Sequence, residues 1–165
     1  RREADQDAVA KEAQTMIDQK TADKFLATEK TPLTKETYNW NQLDRKPISI
    51  PLEAKEFRGE AFALDISRKK IVLKMKYQLR ARQTIVLARL DFGAPHRNPD
   101  GKEIGVPHLH LYREGYGDKF AYPVPPGMLR NPNDPKTCLE DFMARYNIQA
   151  LLFSYSESVN DDLFS

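Results

Sequence analysis

The alternation of apolar and polar residues changes its period along this chain, and the changes divide it into regions. Residues 1–29 are rich in Ala, Glu, Gln, Lys and Asp, contain neither Gly nor Pro, and place Ala13, Met16, Ile17, Lys20 and Lys24 at helical spacing. This predicts a long helix, or two helices broken near Thr21-Ala22-Asp23 with Thr21 capping the second. Residues 30–60 carry Pro32, Pro47 and Pro51, so loop and short extended pieces are expected there, with Trp40 as a core anchor. Around Glu60 the period becomes two. Residues 61–67, 70–82 and 84–92 read as successive strands of an antiparallel meander, punctuated first by Gly59 and Arg68-Lys69. The turn between the second and third is poorly marked.

After Phe92 the text G-A-P-H-R-N-P-D-G supplies a turn with a mechanism, because Pro99 presets its own φ and Gly101 accepts a positive one. A strand over 107–113, the tight turn E-G-Y-G-D-K and a strand over 119–124 follow. From Lys136 to Tyr146, Leu139, Phe142, Met143 and Tyr146 mark an amphipathic helix, with Asp134 as cap and Pro135 as first residue. The expected fold is one α+β domain over residues 1–165. It has a helical region at 1–30, an antiparallel sheet of about five or six strands at 60–125 and a helix at 135–147.

Composition narrows the setting. With 40% hydrophobic and 30% charged residues the 165-residue chain resembles an ordinary soluble protein, and a net charge of +2 does not announce a nucleic-acid binder. One cysteine, Cys138, rules out an internal disulfide and a cysteine-based zinc framework. No apolar run approaches the roughly 18 residues of a membrane span, and the start R-R-E-A-D-Q lacks a signal-peptide core. A cytoplasmic protein without a membrane partner is expected.

Charge is distributed unevenly. In the 70–82 strand the odd positions Ile71, Leu73, Met75, Tyr77, Leu79 and Ala81 are apolar, whereas Lys70, Lys74, Lys76, Arg80 and Arg82 stand at even positions. No acid interrupts residues 66–82. The cations fit three roles: lysines guarding an edge strand, a stripe binding the phosphates of RNA or DNA, or a surface for an acidic protein partner.

All three histidines lie between positions 96 and 110. If Asn98 to Gly101 is the tip of a long hairpin, His96 lies just beyond one strand's end and His108 starts the returning one. His110 and Tyr112 then share the face of His108, while Leu109 and Leu111 face the core. Arg113, Glu114 and Lys119 lie close by on the turn. Three chemistries fit the cluster. In metal-independent RNA cleavage, His96, His108 and His110 share acid and base roles while Tyr112, Arg113 and Lys119 complete the site. In a metal site the three imidazoles hold zinc or another transition metal, with a position open for water. In a structural role they lock a loop. No P-loop, Rossmann glycine pattern, H-E-x-x-H or G-x-S-x-G is present.

The motifs H-x-N-P-D-G, H-L-H-x-Y-x-E-G and G-D-K-x-A-x-P, with D-F-M-A-R-Y-N-I further on, resemble those of an uncharacterised family of small bacterial proteins often carried by phages and other mobile elements. The resemblance covers roughly residues 60 to 150. Members often carry Trp where this chain has Phe120, and Cys where it has Tyr146; neither departure touches the histidines. The resemblance implies a toxin, a defence component or a phage-encoded inhibitor. The leading expectation is therefore a small RNA-cleaving enzyme that needs no cofactor. Behind it stand an interaction protein binding RNA or a cognate acidic protein (an antitoxin or a host target), and a metal-dependent hydrolase.

Overall fold

A computed structural model describes residues 2–6, 16–69 and 74–155. Residues 2–6 are helical, and helix α1 spans Gln19–Ala27. The cap of α1 is Asp18 rather than Thr21, because the Asp18 carboxylate accepts from Thr21 N at 2.7 Å. The helix then runs unbroken through Thr21-Ala22-Asp23. Residues 7–15, where the rest of the expected N-terminal helix falls, lie outside the described residues.

Strands β1 (Thr31–Pro32), β2 (Thr37–Asn39) and β3 (Ile48–Glu53) come from the proline-bearing segment. They are followed by β4 (Phe62–Ser67), β5 (Lys76–Ala81) and β6 (Ile85–Asp91). Short β7 (His96–Arg97) and β8 (Glu103–Ile104) precede β9 (His108–Leu111) and β10 (Ala121–Pro123). Helix α2 (Pro135–Arg145) and β11 (Leu152–Ser154) complete the order. The main sheet has seven strands in the order β1-β3-β4-β5-β6-β9-β10, every neighbouring pair antiparallel. That exceeds the expected five or six because β1 and β3 join it. Pro51 does not forbid this, since on its outer side β3 meets only the two-residue edge strand β1, while Ile50 and Leu52 point into the core. A second departure is the parallel pairing of β2 with β11, which brings Phe153 to 6.4 Å from the buried Trp40.

Alternation in the basic segment holds where it is described, with Met75, Tyr77, Leu79 and Ala81 all buried. Lys70 and the rest of residues 70–73 lie outside the described residues. The strand is central, between β4 and β6, so its cations do not guard an edge. Both helices pack on the apolar face: Phe25 of α1 stacks edge-on to Phe62 at 5.2 Å, and the Tyr77 hydroxyl donates to the Pro135 carbonyl at the start of α2. Asp134 caps α2 and Pro135 is its first residue, as the spacing predicts.

One irregularity positions the opposite face. Leu79 pairs with Ala88 but Arg80 pairs with Val86, so Leu87 is an extra residue in β6. Ile85 and Leu87 point to the core, and so do Ala88 and Leu90. The bulge thus reverses the parity of the strand and sends Arg89 and Asp91 to the polar face.

A buried cation ties the helices together. Lys30 is fully buried, and its ammonium donates to the carbonyls of Leu26, Thr28 and Tyr146 at 3.1, 2.7 and 2.9 Å. Desolvation lowers its pKa to about 8.

Candidate functional site

The strand registers assemble the site. Arg89 on β6 faces His110 on β9, and Asp91 faces His108, so two polar rows cross the sheet. One runs Asp65, Gln78, Arg89, His110 and the other Ser67, Lys76, Asp91, His108. Over these rows folds the β7–β8 hairpin. Its tip is the expected Asn98 to Gly101 turn, with Gly101 at φ 87° donating to the Asn98 carbonyl at 2.8 Å. The buried Asn98 carboxamide fastens the hairpin to edge strand β10, donating to Ala121 O at 2.9 Å and accepting from Ala121 N at 2.8 Å. His96 thus stands in the short strand β7, not just beyond the end of a long one, and the hairpin carries it back onto the sheet.

The three imidazoles converge. Ring centres are 4.6 Å apart for His96 and His110, 4.9 Å for His108 and His110, and 5.9 Å for His96 and His108. His108 and His110 are 0% and 2% exposed although they sit on the polar face. Each ring has one nitrogen against a backbone carbonyl: His96 Nε2 on Lys119 at 2.8 Å, His108 Nδ1 on Gly105 at 3.1 Å and His110 Nδ1 on Asp118 at 2.8 Å. A carbonyl only accepts, so these nitrogens carry the protons. In the neutral rings the remaining nitrogens, His96 Nδ1, His108 Nε2 and His110 Nε2, hold lone pairs. Among the described residues His108 Nε2 is buried with no hydrogen-bond partner. One donor atom from each of Asp91, His108 and His110 lies within 4.8 Å of the others.

Two cations border this group. Arg89 donates to Asp118 at 2.5 Å, and its Nε lies 3.9 Å from Asp91 Oδ2 with no hydrogen bond. Lys76 Nζ reaches the same carboxylate oxygen at 3.7 Å.

Other expected site residues lie apart from the imidazoles. Because β9 ends at Leu111, the alternation does not carry Tyr112 into the histidine row. Its hydroxyl donates to Ile17 O at 2.7 Å and accepts from Ile17 N at 3.0 Å, pinning the segment before α1. The Arg113 guanidinium stacks on Phe120 and Tyr116, at 4.2 and 5.3 Å from the ring centres. Lys119 contributes its carbonyl, to His96, while its side chain is exposed. The cations of β5 are paired by acids on neighbouring strands. Arg80 grips Asp65 through two nitrogens, and Lys76 meets Asp91. Just past β5, Arg82 pairs with Glu60 at 2.6 Å. Lys74, before the strand, is exposed. The sequence reading missed Arg89, Asp91 and Asp118; the shift from Ile85 and Leu87 to Ala88 and Leu90 was the signal for the first two.

Burial above all, and then the nearby Arg89 guanidinium, lower the His110 pKa to about 4, against a weaker opposing pull from the Asp118 carbonyl. In the unfolded chain this ring takes its proton near pH 6.5. Between pH 6.5 and 4 the unfolded chain thus binds the extra proton. The contribution of the neutral ring is complete above pH 6.5 and is lost as the pH falls toward 4, at about 3 kcal/mol in all. In urea unfolding with EDTA at pH 7 and pH 4.5, His110→Gln should show a smaller pH-dependent loss than the parent. Equal losses would remove this account.

No curated protein and no solved structure matches this chain. A family match runs from Ile17, the residue Tyr112 holds, to Ile148, and takes in every member of the cluster. It is to the model of the Family of unknown function (DUF6978) over residues 17–148, and the chain belongs to that family.

Proposed function

We propose that this protein is a metal-dependent hydrolase whose zinc or other transition ion is held by Asp91, His108 and His110. One observation carries the reading. Two buried imidazoles, each fixed by a backbone carbonyl in the tautomer that ligates through Nε2, stand beside a carboxylate with donor atoms within 4.8 Å. Donor atoms this close would let the three side chains hold one ion between them. Three protein ligands leave a position for water, whose pKa a bound zinc ion lowers to about 7. His96, 4.6 Å from His110 between ring centres, is the base that receives the water's proton.

Metal-free RNA cleavage is supported less well. His110, held neutral, would serve as its base, but Arg80 and Arg82, the arginines of the basic run, are paired with acids and leave little to hold a nucleic-acid backbone. Pairing also leaves β5 with little free charge for an acidic protein partner.

Cobalt(II) and zinc titration of EDTA-treated, dialysed protein tests the proposal. One equivalent is expected to bind and to raise the melting temperature. Asp91→Asn, His108→Ala and His110→Ala, checked for folding by circular dichroism, should each abolish uptake. Folded wild-type protein that takes up neither ion would overturn the reading.

A further inference from the structure

Charge balance at this site, taken with the metal reading on which it rests, points to a substrate class. On the polar face Asp65 is matched by Arg80. Among the described residues, the ion pairs beside the imidazoles join two cations, Lys76 and Arg89, to two carboxylates, Asp91 and Asp118. An imidazole that ligates a metal is neutral. The group is therefore balanced without a metal and carries two excess positive charges once a divalent ion is bound. The Arg89 and Asp91 side chains are only 18% and 15% exposed, and an uncompensated charge is disfavoured in such surroundings.

We infer that the loaded site takes a phosphoryl dianion, the head of a phosphate monoester. Lys76 approaches the Asp91 carboxylate from β5, and Arg89 approaches it from two positions earlier in β6. Both contacts exceed hydrogen-bond length, and Arg89 Nε has no hydrogen bond, so both cations have donors left when the carboxylate turns to the ion. A guanidinium fork matches two phosphoryl oxygens, and a half-exposed lysine on a flexible stem reaches a third. A carboxylate substrate would leave one positive charge unmatched. In the reaction, water's oxygen bonds to phosphorus as the bond from phosphorus to the alcohol oxygen breaks. The proton taken by His96 passes to that oxygen. The products are the alcohol and inorganic phosphate.

The test uses cobalt-loaded protein, with inorganic phosphate as the probe and acetate as comparator, read by the cobalt absorption spectrum and by calorimetry. Phosphate should perturb the spectrum and bind at least about tenfold more tightly than acetate, and EDTA-treated protein should not bind it. Lys76→Gln and Arg89→Gln should each keep one equivalent of cobalt and weaken phosphate about tenfold or more. Failure to take up cobalt overturns the metal reading, and this inference with it. Cobalt uptake with no phosphate response, with acetate bound equally well, or with phosphate affinity unchanged in both variants overturns the substrate class alone.

Discussion

Replacing Lys30 with methionine is expected to lower stability by about 2–5 kcal/mol. Two opposing effects set the figure. Burial brings the ammonium's pKa from 10.5 to about 8, a penalty of about 3 kcal/mol at roughly 1.36 per unit, which methionine removes. Against this, three hydrogen bonds from a charged donor contribute about 1.5–3 kcal/mol each. Their acceptors are backbone carbonyls that no mutation deletes, so methionine leaves Leu26, Thr28 and Tyr146 without this donor. The bonds outweigh the penalty. Urea unfolding at pH 7 measures the loss, with exposed Glu29→Ala as a neutral control. A Lys30→Met midpoint within about 1 kcal/mol of the parent would show that the clamp contributes nothing net.

Asn98→Ala should act more locally. Its carboxamide supplies both hydrogen bonds by which the hairpin grips Ala121, and losing them leaves a buried N–H and a buried C=O at about 1–3 kcal/mol each. The β7–β8 hairpin would then open independently of the main sheet. Hydrogen exchange reads this directly: the amides of Asn98 and Gly101 should exchange about a hundredfold faster, while those of β4 and β5 keep their protection. Uniform acceleration across the sheet, or none in the hairpin, would contradict this attachment.

Local features were legible in the sequence. The Asn98 to Gly101 turn, the Asp134-Pro135 start of α2 and the apolar side of β5 follow from residues within a few positions of one another. The gathering of the histidines was legible for the same reason. What escaped depends on partners distant in sequence. Glu60 and Asp65 neutralise Arg82 and Arg80 across a strand pairing, so the basic run looked free in one dimension and is paired in two. Tyr112 continues the two-residue spacing of the histidines, but the strand ends first and the hydroxyl is captured by Ile17. Prolines hid β3, whose alternation of Ile48, Ile50 and Leu52 was nonetheless present.

The extra residue at Leu87 bears on which changes of length such a site survives. Upstream of it β6 is ordinary core; downstream, the same alternation delivers a carboxylate and a guanidinium to the imidazoles. Losing that one codon would join Val86 to Ala88 in an unbroken ladder, with Ala88 still opposite Leu79 and with Arg89 and Asp91 still facing His110 and His108. Every chemically active side chain would still be encoded. The bulge is therefore a tolerance of length in the strand beside the site: one residue can be lost there in a frame-preserving step that leaves the polar face and all three histidines in place.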